Sequence, residues 1–250
     1  SHAISSAAAA AGPFEGGAQA THVVGVLTAA ALLMAWDLAG GDLAVSRLVG
    51  TPQGFAWRDH WLTAGLLHTG MKWLAGAVFI ALAVNIWRPL PGFSFARSLP
   101  RRERVRWFVV AVACTALVPL LKQLSTTSCP WALVEFGGGL AHYVPHWQIG
   151  VRDGGGGGCF PSGHAVTAFG FLGGWFALKE RAPRAARWWL GVTVAIGLVL
   201  GAAQVLRGAH YVSHVLWSAW FCWVFCALAG SLPLGGGGDE TGAVDGGRLR

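Results

Sequence analysis

Charge is what this chain has least of. Asp, Glu, Lys and Arg make up 12% of its 250 residues, against about 25% in soluble domains. That shortage excludes an ordinary soluble domain. A nucleotide-type phosphate loop is also missing. Gly154 to Gly158 form a glycine run, but no Gly-Lys-Ser/Thr follows it, and the run reads as a flexible lead into the next helix. Residues 1–21 carry one charge, Glu15, and no Met. They lack the basic n-region of a signal peptide and read as a flexible lead-in. Cysteine is sparse, at five residues. Cys114, Cys222 and Cys226 lie in apolar runs, where a thiol behaves as a small packing group. Cys129 and Cys159 flank one loop and are able to pair if that loop faces an oxidising compartment.

What the chain has in abundance is apolar surface. Hydrophobic residues make up 54% of it, and 14 are Trp, a residue that collects at membrane–water interfaces. The formal net charge of +7 does not point to nucleic acid, because most of the excess Arg sits in two short loops. Arg88, Arg97, Arg101, Arg102, Arg104 and Arg106 crowd one; Lys179, Arg181, Arg184 and Arg187 crowd the other. Such loops face the cytoplasm.

Apolar runs that read as membrane spans fall at residues 22–39, 73–87, 107–121, 162–178, 188–206 and 211–230. The expected fold is all-α: a six-transmembrane-helix bundle over 22–230, with an extracytoplasmic loop between spans three and four. Both termini then lie in the cytoplasm, as suits a bacterial inner membrane protein. Residues 41–70 mix Trp57, Trp61, Leu62, Leu66 and Leu67 with Arg58, Asp59, His60 and His68. That mixture reads as an amphipathic helix at the interface, with both His solvated. Asp37 is placed near the end of span one, in reach of water. Trp131 and Phe136 read first as interfacial anchors and second as part of a substrate mouth. Residues 231–250 are Gly-rich and charged and read as a disordered tail.

One short stretch, Phe160-Pro161-Ser162-Gly163-His164-Ala165, combines a helix-capping residue with a His at the head of span four. Free N–H groups at a helix start attract anions, and the His can supply a proton. The topology puts two more polar clusters at the same membrane level. Lys122 ends span three, and Arg207, His210 and His214 fall at the break between spans five and six. Ionisable groups converging inside a membrane bundle are functional candidates.

These segments resemble the three motifs of the type 2 phosphatidic acid phosphatase superfamily, K-x6-R-P, P-S-G-H and S-R-x5-H-x3-D. Six residues separate Lys122 from Cys129-Pro130, five separate Gln204 from His210, and three separate His210 from His214. The resemblance implies a membrane lipid phosphatase that needs no cofactor or metal. It makes His210 the nucleophile, forming a phospho-histidine, and His164 the general acid. Lys122, Ser162, Gly163, Arg207 and Gln204 would hold the phosphate, and the partners would be the bilayer and a lipid phosphate. Phosphatidic acid, phosphatidylglycerol phosphate, undecaprenyl diphosphate and lipid A phosphate are the implied substrates.

Three charged positions of the pattern are replaced. Cys129 and Gln204 stand where the motifs have Arg, and His214 stands where they have Asp. His214 is one turn from His210 on a helix and would orient it as a third catalytic residue. Glu135 and Asp153 are spare carboxylates in the loop. Two other readings stay open. The pairs His142-x3-His146 and His210-x3-His214 have spacing that suits a metal or haem. A catalytically degraded protein that binds lipid phosphate without turnover is the other.

Overall fold

The computed structural model describes residues 13–90, 97–139 and 141–232. Its helices are α1 (Pro13–Leu38), α2 (Gly41–Val49), α3 (Met71–Trp87), α4 (Arg101–Lys122), α5 (Val166–Phe169), α6 (Gly173–Leu178), α7 (Pro183–Leu206) and α8 (Val212–Ser231). One small hairpin, β1 (Gly50–Thr51) with β2 (Gly54–Phe55), pairs Gly50 with Phe55. The protein is an all-α integral membrane protein. Helical backbone satisfies its own polar groups, as lipid demands. Large apolar side chains point outward, Trp73 at 78% and Trp188 at 76% exposure.

Among the described residues five helices are long and apolar enough to cross a membrane: Gln19–Leu38, Trp61–Trp87, Arg101–Lys122, Pro183–Leu206 and Val212–Ser231. The expected fourth span is a shorter apolar segment, Val166–Leu178, broken by a 3-10 turn at Gly170–Leu172. A neighbour explains the break. Trp189 Nε1 donates to the Phe171 carbonyl at 2.7 Å. Gly174 allows that approach, since a Cβ there would collide with the indole. The segment is the centre of the bundle. Val166, Phe169 and Leu172 pack with Cys114 and Val118 of α4 and with Val215, Cys222 and Cys226 of α8. The three apolar-run cysteines are buried packing groups, as their setting suggested.

The second span differs from expectation. Residues 61–70 are no separate interfacial helix. Trp61–Gly70 is π-helical and runs directly into α3. Thr63 within it is buried and donates to the Trp57 carbonyl at 2.6 Å, while Arg58, Asp59 and His60 stay exposed just before it. The first helix also starts earlier than residue 22, at Pro13. Residues 1–12 of the expected lead-in and 233–250 of the expected tail lie outside the described residues.

The loop between α4 and α5 folds into a cap. Cys129 and Cys159 form a disulfide. Buried Asp153 accepts from the Ser128 hydroxyl at 2.9 Å, from the Ser128 amide, and from Gly155 N at 2.9 Å. Gly158 N donates to Ser125 O at 2.8 Å. The glycine run is therefore pinned at several points rather than a flexible lead. Phe55, Leu133, Phe136, Ala141 and Tyr211 form a core under this cap, so Phe136 is no membrane anchor. At the α7–α8 break Gly208 has φ 67°, a region open to glycine. A Cβ there would also strike the Phe55 ring. The hairpin thus sits on the turn that delivers His210.

Candidate active site

Three chain segments meet under the cap, each bringing part of one motif. Lys122 is the last residue of α4. Ser162 does not cap a helix: the next helix begins at Val166 and has no side-chain cap. Instead Ser162 is fixed by its backbone. Its N–H donates to the His214 carbonyl at 3.1 Å, and its own carbonyl accepts from Ser218 Oγ at 3.0 Å. This leaves the Ser162 hydroxyl fully buried with no partner. Gly163 borders open space, since a Cβ there meets nothing within 4 Å. His164 lies in the turn before α5, its ring 6.1 Å from that of His210. Its Nδ1 is also buried without a partner.

Gln204 is fully buried near the end of α7. Its Oε1 accepts from Arg207 Nη1 at 3.3 Å, and its Nε2 has no partner. Arg207 is held twice, since its Nε also donates to the Arg58 carbonyl at 2.8 Å. The Trp131 ring lies 4.9 Å from the Arg58 guanidinium and 6.0 Å from that of Arg207. Trp131 therefore packs beside the site's cations rather than serving as an interfacial anchor.

His210 is 2% exposed. Burial, with Lys122 and His164 nearby, holds its imidazolium pKa well below the ordinary His value. It is a neutral imidazole at neutral pH. Burial, with His68, Lys72, Lys122 and Arg207 around it, pushes His164 down to about 3. A bound phosphate would oppose these cations and raise that value. His68 was read as solvated, yet its ring lies 4.1 Å from that of His164, and Lys72 Nζ lies 3.5 Å from His68 Nε2. Sequence reasoning missed both residues. The π-helical turn brings His68 to His164, and Lys72 follows in the first turn of α3; the sequence pattern of 41–70 suggests an amphipathic surface instead.

Behind His210 the chemistry changes. His214 Nδ1 meets the Cys159 carbonyl at 3.1 Å. Cys159 Sγ lies 3.6 Å from His210 Nδ1. Cys129 thus replaces a motif cation with one half of a disulfide that positions the floor beneath both imidazoles. The His214 ring packs edge-on to His146 at 5.4 Å. His146 stacks on Phe160 at 3.9 Å, and its Nε2 lies 3.4 Å from Asp37 Oδ2. Burial holds His146 at about 4, so the imidazole is neutral at pH 7 and the contact is no ion pair. Asp42 accepts from Trp36 Nε1 at 3.0 Å and from both the amide (2.9 Å) and the hydroxyl of Ser213. Burial raises its pKa. Asp37 is 4% exposed and not at the water's edge as expected. Neither of the spare loop carboxylates is here. Asp153 organises the cap, and Glu135 accepts from Arg47 Nε at 2.6 Å. The spaced pair His142 and His146 does not act as a unit either, since His142 is exposed.

The sequence profile of the PAP2 superfamily matches residues 104–233, a stretch that contains all three motifs. Among curated proteins nothing matches. Of solved structures, the crystal structure of the first transmembrane PAP2-type phosphatidylglycerolphosphate phosphatase from Bacillus subtilis is similar. The likeness covers 84% of this chain and 92% of that one, with a TM-score of 0.50 and 17% identity. At that identity the likeness speaks for the fold.

Proposed function

Because the chain belongs to the PAP2 superfamily, we propose that it removes a phosphate or diphosphate group from a membrane lipid, through a phospho-histidine on His210, at the extracytoplasmic face. One observation carries the reading. Ser162 Oγ, His164 Nδ1 and Gln204 Nε2, one or two from each of two motifs, are buried and unpartnered together. Buried polar atoms without partners cost about 1–3 kcal/mol each, and a phosphate between them relieves that cost. Lys122 supplies the charge. Arg207 fixes the Gln204 amide so that its N–H₂ is free to donate to phosphate oxygen.

The chemistry follows from these positions. Neutral His210 presents a lone pair to phosphorus. As the N–P bond forms, the P–O bond to the lipid breaks, and His164, protonated beside the bound phosphate, gives its proton to the departing oxygen. Water then attacks phosphorus, His164 takes a proton from it, and inorganic phosphate leaves with His210 restored. Lys122, Ser162 and Gln204 offset charge on the equatorial oxygens throughout. The Arg-rich loops, read by the positive-inside rule, support this orientation: the opposite ends of the helices in the cytoplasm, the site at the outer leaflet of a bacterial inner membrane, and Val166–Leu178 as a short sixth crossing.

The test is purified protein against phosphatidic acid, phosphatidylglycerol phosphate, undecaprenyl diphosphate and lipid A phosphate, with His210→Ala beside it. The reading expects vanadate-sensitive phosphate release without added magnesium from at least one lipid, and none from the variant. Binding of these lipids without turnover would identify a degraded member of the family.

A further inference from the structure

The wall behind His210 has a composition that phosphate chemistry does not use. Asp37, Asp42 and His214 are at most 4% exposed, and the His146 side chain is 7% exposed. One ligand atom from each of Asp42, His146 and His214 lies within 4.8 Å of the others. Asp37 stands outside that set of three and faces it only through His146, whose Nε2 lies 3.4 Å from Asp37 Oδ2. The four come from α1, α2, the cap and α8. Apart from one another, their hydrogen-bond partners among the described residues are the indoles of Trp36 and Trp217, Ser213 and the Cys159 carbonyl. None is Lys or Arg.

Two observations call for a cation. The first is a buried orphan: Asp37 Oδ1 has no partner, while its other oxygen accepts from Trp217 Nε1 at 3.0 Å and faces His146. A carboxylate this deep needs a counter-charge or full hydrogen bonding. The second is a mismatch of donors and acceptors. His214 Nδ1 faces a carbonyl, which can only accept, so the proton sits on Nδ1 and Nε2 keeps a lone pair. Ligating His residues hold their other N–H on a backbone carbonyl in this way. The neighbours Asp42 and Asp37 are acceptors as well. The middle of the cluster is therefore rich in lone pairs and poor in protons.

We propose that Asp42, His146 and His214 bind one divalent transition-metal ion, with zinc the best fit, and that Asp37 backs His146 as the outer carboxylate. Two imidazoles and one carboxylate form a mixed N/O set that zinc accepts in tetrahedral geometry with water in the fourth position. Bonds of about 2.1 Å place ligand atoms roughly 3.4 Å apart, so the three ligand atoms, within 4.8 Å of one another, close in to take the ion. The two carboxylates and a dication are neutral together. The ion would tie three separate segments and hold His214 through Nε2, with its Nδ1–H on the Cys159 carbonyl beneath His210. It lies behind the nucleophile and takes no part in phosphate chemistry. Asp37 and Asp42 precede the stretch that the superfamily profile matches.

The test measures metal, so it stands whether or not the phosphatase reading does. Full-length protein without a histidine tag is stripped with chelator, dialysed against Zn²⁺ or Co²⁺, and assayed for metal content and for visible Co²⁺ absorption. The expected result is one equivalent, with the strong bands of four-coordinate Co²⁺, and a melting temperature raised by Zn²⁺. His146→Ala should weaken binding by about 100-fold or more. Asp37→Asn, nearly isosteric and able to keep the Trp217 contact, should lower affinity at least tenfold and lose the thermal shift while still folding. His142→Ala should bind as the parent does. No bound metal in the parent, or equal binding by folded Asp37→Asn and His146→Ala, overturns the proposal.

Discussion

The two sides of His210 are built from opposite materials. Toward the open space at Gly163 lie Lys122, Arg207, Lys72 and neutral hydrogen-bond donors, with three polar atoms left unpartnered. Toward the bundle lie two carboxylates bonded to indole and hydroxyl groups, together with two imidazoles. The Cys159 carbonyl and the disulfide stand between them. A site made to receive an anion gathers cations and idle donors. A wall made to hold its shape gathers acceptors and satisfies most of them. The difference explains how His214 stands where the motif has Asp. Its pocket already holds Asp42 and Asp37, and an imidazole adds no third negative charge.

The comparison breaks most sharply at its centre. His210→Ala should lower kcat by about 10³-fold or more, as loss of a nucleophile does, with phosphate release as the readout. On the cationic side Lys122→Ala should cost about 10²-fold in kcat/KM. Removing a motif group there is a loss of charge and little else. On the acidic side the motif residue itself should do harm. His214→Asp places a third buried carboxylate beside two others, so both the melting temperature and the rate should fall, the rate by about tenfold or more. A gain in rate would show that the two walls do not differ as described. Ser162→Ala removes one hydrogen bond to a charged oxygen, worth about 1.5–3 kcal/mol, and should lower kcat/KM by about tenfold with the fold intact.

The smallest effect is in pH dependence. His164 has a folded-state value of about 3, below the ordinary value of about 6.5. The native state therefore binds fewer protons here than the unfolded state. Stability from this group is complete above pH 6.5 and is lost as the pH falls toward 3. The melting temperature of ligand-free protein should drop between pH 7 and pH 4, and the slope should be shallower in His164→Asn.

The helices and the motif groups were legible in the sequence because each signal is local. An apolar run reports a span, and fixed spacing reports Lys122, His164 and His210. Even the possible pairing of Cys129 and Cys159 followed from their flanking one loop. What sequence did not reveal depends on contacts between distant segments. Asp42 meets Ser213 across 171 residues, and no period or motif joins them. His68 was misplaced for a different reason: a π-helical turn facing the site has the same mixed composition as a helix facing water. Ser162 looked like a helix cap because its residue type favours one, but the contacts from His214 and Ser218 hold its backbone elsewhere.

The central claim is that phosphorus passes through His210. The most direct test is rapid acid-free quenching of purified protein during turnover of a phosphorylated lipid, followed by peptide mass spectrometry. The account expects a phosphoryl adduct on His210, absent from His210→Ala and longer-lived in His164→Asn, where water attacks the phosphorus without a base. Full turnover by His210→Ala, or an adduct on another residue of the parent protein, would contradict it.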